Sequence, residues 1–177
     1  MKLAVLAVAT AILVTGCGAT KTVVKTVTVT KDATAKTGVG APAEQVEFGF
    51  IKSLQAEGSA FVLKFDPALL LTGVTANVAQ AEDQGTTCEP KACPPVANDN
   101  YVLNDSHRLL TYLVPASARV TALTTGVKGT RITVAQLAGI VNGKNPLGHP
   151  LSEALDTGVW IRVRIDTVIS LDQQYHP

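Results

Sequence analysis

Val46, Phe48 and Phe50 alternate with polar or small residues, and Phe61, Leu63 and Phe65 repeat the pattern after the turn-like stretch Gln55-Ala56-Glu57-Gly58. Period-two alternation on both sides of a glycine-ended turn predicts a β-hairpin. Asp66-Pro67 is expected to stop the second strand, because proline donates nothing to a ladder. The same dipeptide suits the start of a helical turn through residues 69–71. Val74, Val78 and Ala81 then fall at helical spacing, which predicts a short helix over 73–83 with Glu82 and Asp83 at its end.

Further along, residues 101–103, 109–114 and 119–123 read as strands, the last two joined by Pro115-Ala116-Ser117. Thr133 and Gln136 make a capping-box pair. Val134, Leu137, Ala138 and Val141 follow at i, i+3, i+4 and i+7, and Gly143 supplies a C-terminal stop. Val159–Arg164 and residues 167–171 are two more strands around Ile165-Asp166, with Ile161 and Val163 on one face and Trp160, Arg162 and Arg164 on the other. The predicted order is ββα–βββ–α–ββ. Hairpin-connected strands imply an α+β domain, mostly antiparallel, curled into a small OB- or SH3-like barrel with two short helices.

The chain begins differently. Lys2 is the only charge before Lys21, and residues 3–14 are apolar apart from Thr10. That run is too short to span a bilayer, which takes roughly 20 residues, and suits the apolar region of a secretory signal. It ends in Val14-Thr15-Gly16-Cys17, which resembles the lipobox of bacterial lipoproteins. The resemblance implies cleavage after Gly16 and a diacylglycerol on the thiol of Cys17. Residues 1–16 are therefore expected to be a signal peptide, and Cys17 the anchor of the protein to a membrane. Two or more acyl chains hold firmly where one holds weakly.

Residues 17–43 carry seven threonines between Thr20 and Thr37, four lysines, one aspartate and no aromatic residue. Such a segment buries too little apolar surface to offset its ordering entropy, so it reads as a flexible tether. The Val-Thr alternation of KTVTVT also suits an added edge strand. Residues 44–177 are the right length for one extracytoplasmic domain with one core. Removing Lys2 from the 15 basic residues leaves 14 against 14 acidic ones. The chain after the leader is thus formally neutral, with its positive excess in the tether, which argues against nucleic acid, since that takes a concentrated basic face.

Cys88 and Cys93 lie in a Pro- and Asn-rich loop. In an oxidising compartment an even, close pair reads as a disulfide. The alternatives are a metal site or a redox dithiol. Zinc needs four ligands, and His107, His149 and His176 lack ligand spacing to the thiols; redox pairs favour C-x-x-C. No metal and no cofactor is expected.

The segments FGFIKSL, LKFDPALLLTGVTANVAQAED, NDNYVLNDSHRLLTYLVPASARVTAL and VWIRVRIDTVISLDQQYHP resemble a family of actinobacterial exported proteins and lipoproteins. The resemblance covers most of residues 46–177. It implies a secreted β-rich domain and brings no activity, ligand or catalytic residue with it.

Three clusters carry candidate chemistry. Asp99, Asn100, Asn104, Asp105, Ser106 and His107 read as turn chemistry, with a calcium site or a Ser-His-Asp hydrolase as sharper alternatives. EF-hand spacing and G-x-S-x-G are both missing. Glu82 and Asp83 adjoin, so they read as a solvated helix end, not as a glycosidase pair. Trp160, Arg162 and Arg164 share a strand face that can stack a ring and pair with an anion. The expected function is a non-catalytic, membrane-anchored lipoprotein of the bacterial cell envelope that binds or scaffolds an envelope protein or a small molecule. The alternative is an envelope hydrolase with a site no motif reveals.

Overall fold

A computed structural model describes residues 42–106 and 108–176. Residues 1–16 with the expected signal peptide, Cys17, the KTVTVT stretch and His107 lie outside them. Strand β1 (Gln45–Glu57) turns through Gly58 into β2 (Ala60–Thr72), and helix α1 (Gly73–Asp83) follows. The disulfide loop leads to β3 (Asn100–Leu103), β4 (Leu110–Pro115), β5 (Arg119–Thr125) and β6 (Lys128–Ile132). Helix α2 (Val134–Val141) precedes the closing hairpin of β7 (Val159–Arg164) and β8 (Thr167–Gln173).

Five strands close on themselves in the order β1-β2-β4-β8-β7-β1. All the pairings in the ring are antiparallel except β4 with β8, which run parallel. Renumbered within the ring, the path is 1-2-3-5-4-1 with one parallel seam, the order of an OB-type barrel. Phe65, Leu63, Leu54, Ile161, Val168 and Leu171 fill the interior, each at most 1% exposed. Ile161 and Val163 face inward and Arg162 and Arg164 outward, as the alternation predicts.

Helix α2 forms where the capping box places it. The Thr133 hydroxyl accepts from the Gln136 N–H, and the Gln136 side chain accepts from the Thr133 N–H. At the other end, Lys144 N–H donates to Gly139 O and Gly143 N–H to Ile140 O, the paired bonds of a Schellman stop. Helix α1 also lies where expected. Of its predicted stripe Ala81 is buried and Val78 partly so, but Val74 is half exposed, and Ala76 is the other buried residue.

Two expectations fail, each for a physical reason, and one strand lies where none was expected. Pro67 does not end β2. The strand continues to Thr72, and Pro67 sits where the outer edge of β2 passes from β4, last paired at Phe65↔Leu110, to β3, first paired at Leu69↔Leu103. A missing donor is harmless in that gap. No helical turn forms at 69–71, because those residues pair with β3. Second, the linker at 115–118 does not fold β5 back on β4. Ala118 N–H donates to Pro115 O in a local turn, and β5 runs on parallel to β8. The unexpected strand is β6, which pairs antiparallel with β5 although KGTRI has no alternation: it is an edge strand with four of its five residues exposed.

Gly49 limits the interior. A Cβ there would lie 2.2 Å from the Asp66 carbonyl and 2.9 Å from the Phe65 ring. Its absence lets the Phe65 ring occupy the barrel against β1. Gly49→Ala should therefore destabilise the domain by about 3 kcal/mol, the upper range for overpacking. Denaturant melts followed by the emission of Trp160, the single tryptophan, measure this directly.

Candidate functional site

One hollow follows from unequal strand lengths. β7 pairs with β1 only from Gln45↔Val163 to Gly49↔Val159, so the rest of β1 has no strand on that side. Helix α2 takes the place of one. Asn142, at the helix end, donates to Leu54 O (3.3 Å) and accepts from the Gln55 side chain (3.0 Å). Between the bare edge, the end of α2 and the loop 150–156 lies a cleft of about 580 Å³. Its lining is mostly aliphatic or aromatic, including Phe50, Ile51, Ile140, Val141, Leu151 and Leu155, with Lys52, Glu153 and Asp156 as its charges.

The cleft walls are fixed from outside. The Gln173 side chain donates to Glu153 O (3.0 Å) and Ala154 O (3.1 Å) and accepts from Leu123 N–H (2.8 Å). Ser152 N–H donates to Leu123 O at 2.7 Å. Thus one amide ties the loop to β5 and β8. Lys52 is the bulged residue of β1, where the register shifts between Ile51 and Ser53. A bulge re-aims its side chain, and Lys52 Nζ reaches the buried Asp66 at 2.9 Å while lying 5.7 Å over the Phe50 ring. Asn104 also donates to Asp66, at 3.2 Å.

The residues singled out by sequence are scattered. Cys88 and Cys93 are disulfide-bonded, closing the loop between α1 and β3. Asn77 accepts from Val96 N–H and pins that loop to α1. Asn98 and Asp99 occupy the left-handed region of a turn, and Asp105 and Ser106 are exposed. Asp83 accepts from the Tyr101 hydroxyl at 2.6 Å, so the helix end is tied to β3 and not merely solvated. Among the described residues there is no group of three or more His, Cys, Asp or Glu side chains placed to hold a metal, and no helix long and apolar enough to cross a membrane.

Trp160, Arg162 and Arg164 share the outer face, yet they do not form one site. Trp160 packs on Phe48, ring centroids 5.1 Å apart, and its Nε1–H donates to Gln174 at 2.7 Å. Arg164 is ion-paired with Glu44. Arg162 instead shares a second hollow, about 390 Å³, with Arg119 of β5 and with Ser117. Sequence reasoning missed Arg119 and Gln173, since each acts through a partner far along the chain.

No family model, no curated protein and no solved structure matches the chain.

One part-buried polar contact of the barrel holds a phenol whose proton is bound unusually tightly. The Tyr112 hydroxyl, on a residue only 7% exposed, is shared between the two carboxylate oxygens of Glu47 at 3.0 and 2.8 Å. Burial first, then the hydrogen bond to Glu47 and that carboxylate's charge, push the phenol well above its ordinary value near 10. The folded state thus holds this proton more tightly than the unfolded chain does. The resulting stabilisation is complete below about pH 10 and is lost as pH rises beyond it. Urea midpoints measured between about pH 8 and pH 11 should fall on the alkaline side. In Tyr112→Phe that fall should be shallower.

Proposed function

We propose that the protein is a lipid-anchored binding module of the bacterial cell envelope, without catalytic activity, whose folded domain takes up an apolar group in the cleft beside β1. The observation that carries the binding reading is the cleft itself. Its 580 Å³ lie within the range of small-ligand sites, and its walls are mainly apolar with a few fixed charges. Lys52 is held by Asp66 and can meet the polar end of a ligand whose aliphatic or aromatic part rests on Ile140, Val141 and Leu151. The loop wall is already bonded in place through Gln173, so little ordering is left for the ligand to impose.

The anchor is supported by the sequence alone: one basic residue, one apolar run too short to span a bilayer, and VTGC at its end. Cys17→Ser should therefore leave the chain uncleaved and without incorporated fatty acid. Feeding cells a clickable fatty acid and fractionating them tests this; label retained on the variant refutes the anchor.

The cleft is tested separately. The chain from residue 18 onward should bind 1-N-phenylnaphthylamine, a neutral fluorescent probe of apolar sites. Val141→Glu and Leu151→Glu should each weaken that binding about tenfold, equivalent to about 1.4 kcal/mol. Unchanged probe binding in both variants, with melting curves like the parent's, overturns the cleft as a binding site.

A further inference from the structure

The outer face of β5, β8 and β7 carries a row of three residues set by register. Ser170 of β8 stands opposite Arg162 of β7 in the antiparallel pairing and opposite Arg119 of β5 in the parallel one. Neighbouring strands lie about 4.8 Å apart, so the two arginines rise on either side of one serine at about twice that spacing. Ser170 is 2% exposed, covered on its own strand face, whereas both arginines are exposed. Ser117, in the turn before β5, lines the same hollow of about 390 Å³.

The charges around this hollow do not cancel. Glu44 lines it too, but Glu44 is ion-paired with Arg164. Asp172, one row further along β8, accepts from the Ser170 hydroxyl at 3.3 Å. Among the described residues neither Arg119 nor Arg162 has a carboxylate within ion-pair distance, the only two such pairs being Lys52–Asp66 and Arg164–Glu44. Three guanidinium groups thus face two carboxylates around the row, and the two unpaired guanidinium groups share one concave surface.

We propose that Arg119 and Arg162 form a binding site for a phosphate-class oxyanion, with the Ser117 hydroxyl as a further donor. The site is independent of the apolar cleft. A guanidinium presents its donors as a planar fork, and one fork suffices for the two coplanar oxygens of a carboxylate. Two forks approaching from opposite sides suit a tetrahedral group, which offers oxygens to both at once. Free phosphate and the phosphodiester of an anionic lipid headgroup both have this chemistry.

The test uses the full chain held in dodecyl maltoside micelles, which contain no phosphate. Equilibrium dialysis against radiolabelled inorganic phosphate should show saturable binding of one phosphate per chain. Arg119→Gln and Arg162→Gln should each raise the dissociation constant at least about tenfold, the effect of losing one charge-assisted contact. Lys128→Gln, which removes an exposed cation of β6 at the far end of the β5–β6 hairpin, should change it less than about twofold, as expected of a screened distant charge. Doping the micelles with phosphatidylglycerol, and separately with phosphatidylcholine, identifies the source. Displacement of phosphate by the first lipid only assigns the site to an anionic headgroup; displacement by neither assigns it to free phosphate. Absence of saturable phosphate binding, or an equal loss in Lys128→Gln, overturns the proposal. Neither result bears on the apolar cleft, whose probe carries no charge.

Discussion

Closing five strands into a ring leaves one seam, and here it is narrow. β4 meets β8 at Leu113 opposite Thr167, and Leu113 N–H donates to Asp166 O at 2.9 Å. The acceptor belongs to the two-residue turn between β7 and β8, where Ile165 and Asp166 sit at φ 44° and 54°. A turn of this hand keeps the twist of its flanking strands, but a β-branched residue in that region is strained, by roughly 1–2 kcal/mol. The strain is held because the same turn delivers the carbonyl that closes the barrel. Ile165 meanwhile remains 70% exposed, so it gains little from packing in return.

The rest of the architecture depends on that seam. Past it, β5 takes over the edge of β8 that β4 leaves, pairing Arg119, Val120 and Thr121 with Ser170, Leu171 and Asp172. One strand edge is therefore shared by two successive strands, and the local turn at 115–118 supplies the offset between them. A ring of five strands has room for few large side chains, which explains why Gly49 must lie against Phe65. β1 is also longer than its neighbour β7. The surplus edge is what α2 covers, and the space left over is the apolar cleft.

How much of this was legible in the sequence depended on the range of the interaction. The capping box of α2, its glycine stop, the β1–β2 hairpin and the inward facing of Ile161 and Val163 are local patterns, and each formed where its spacing placed it. Pro67 misled because proline's effect on a strand depends on which neighbour its edge faces, and that neighbour changes at 66–68. β6 was invisible because an exposed edge strand has no buried face to impose alternation. The direction of β5 relative to β4 was misjudged because the deciding partner, β8, comes some fifty residues later. The cleft and the pairing of Arg119 with Arg162 share this origin: both are made by contacts between segments far apart in the chain. The disulfide was readable because the even count and close spacing of Cys88 and Cys93 sufficed without long-range geometry.

Trp160 shows why the outer-face residues divide as they do. An indole offers a large apolar body and one N–H, and a buried indole N–H needs an acceptor. Phe48 lies directly opposite it on β1, and Gln174, just beyond β8, provides the acceptor at 2.7 Å. With its ring against Phe48 and its donor engaged, Trp160 joins β1 to the end of the last hairpin and has no polar group left to read a ligand. Arg164 is likewise committed, to Glu44 near the start of the domain. Arg162 is the one member of that strand face whose charge is unmatched, and the parallel partner strand β5 brings Arg119 to its side. Opposing strand directions across β8 therefore gather a like-charged pair that neither hairpin could assemble alone. Like charges at such spacing repel across a partly screened distance, and an oxyanion between them would attract both.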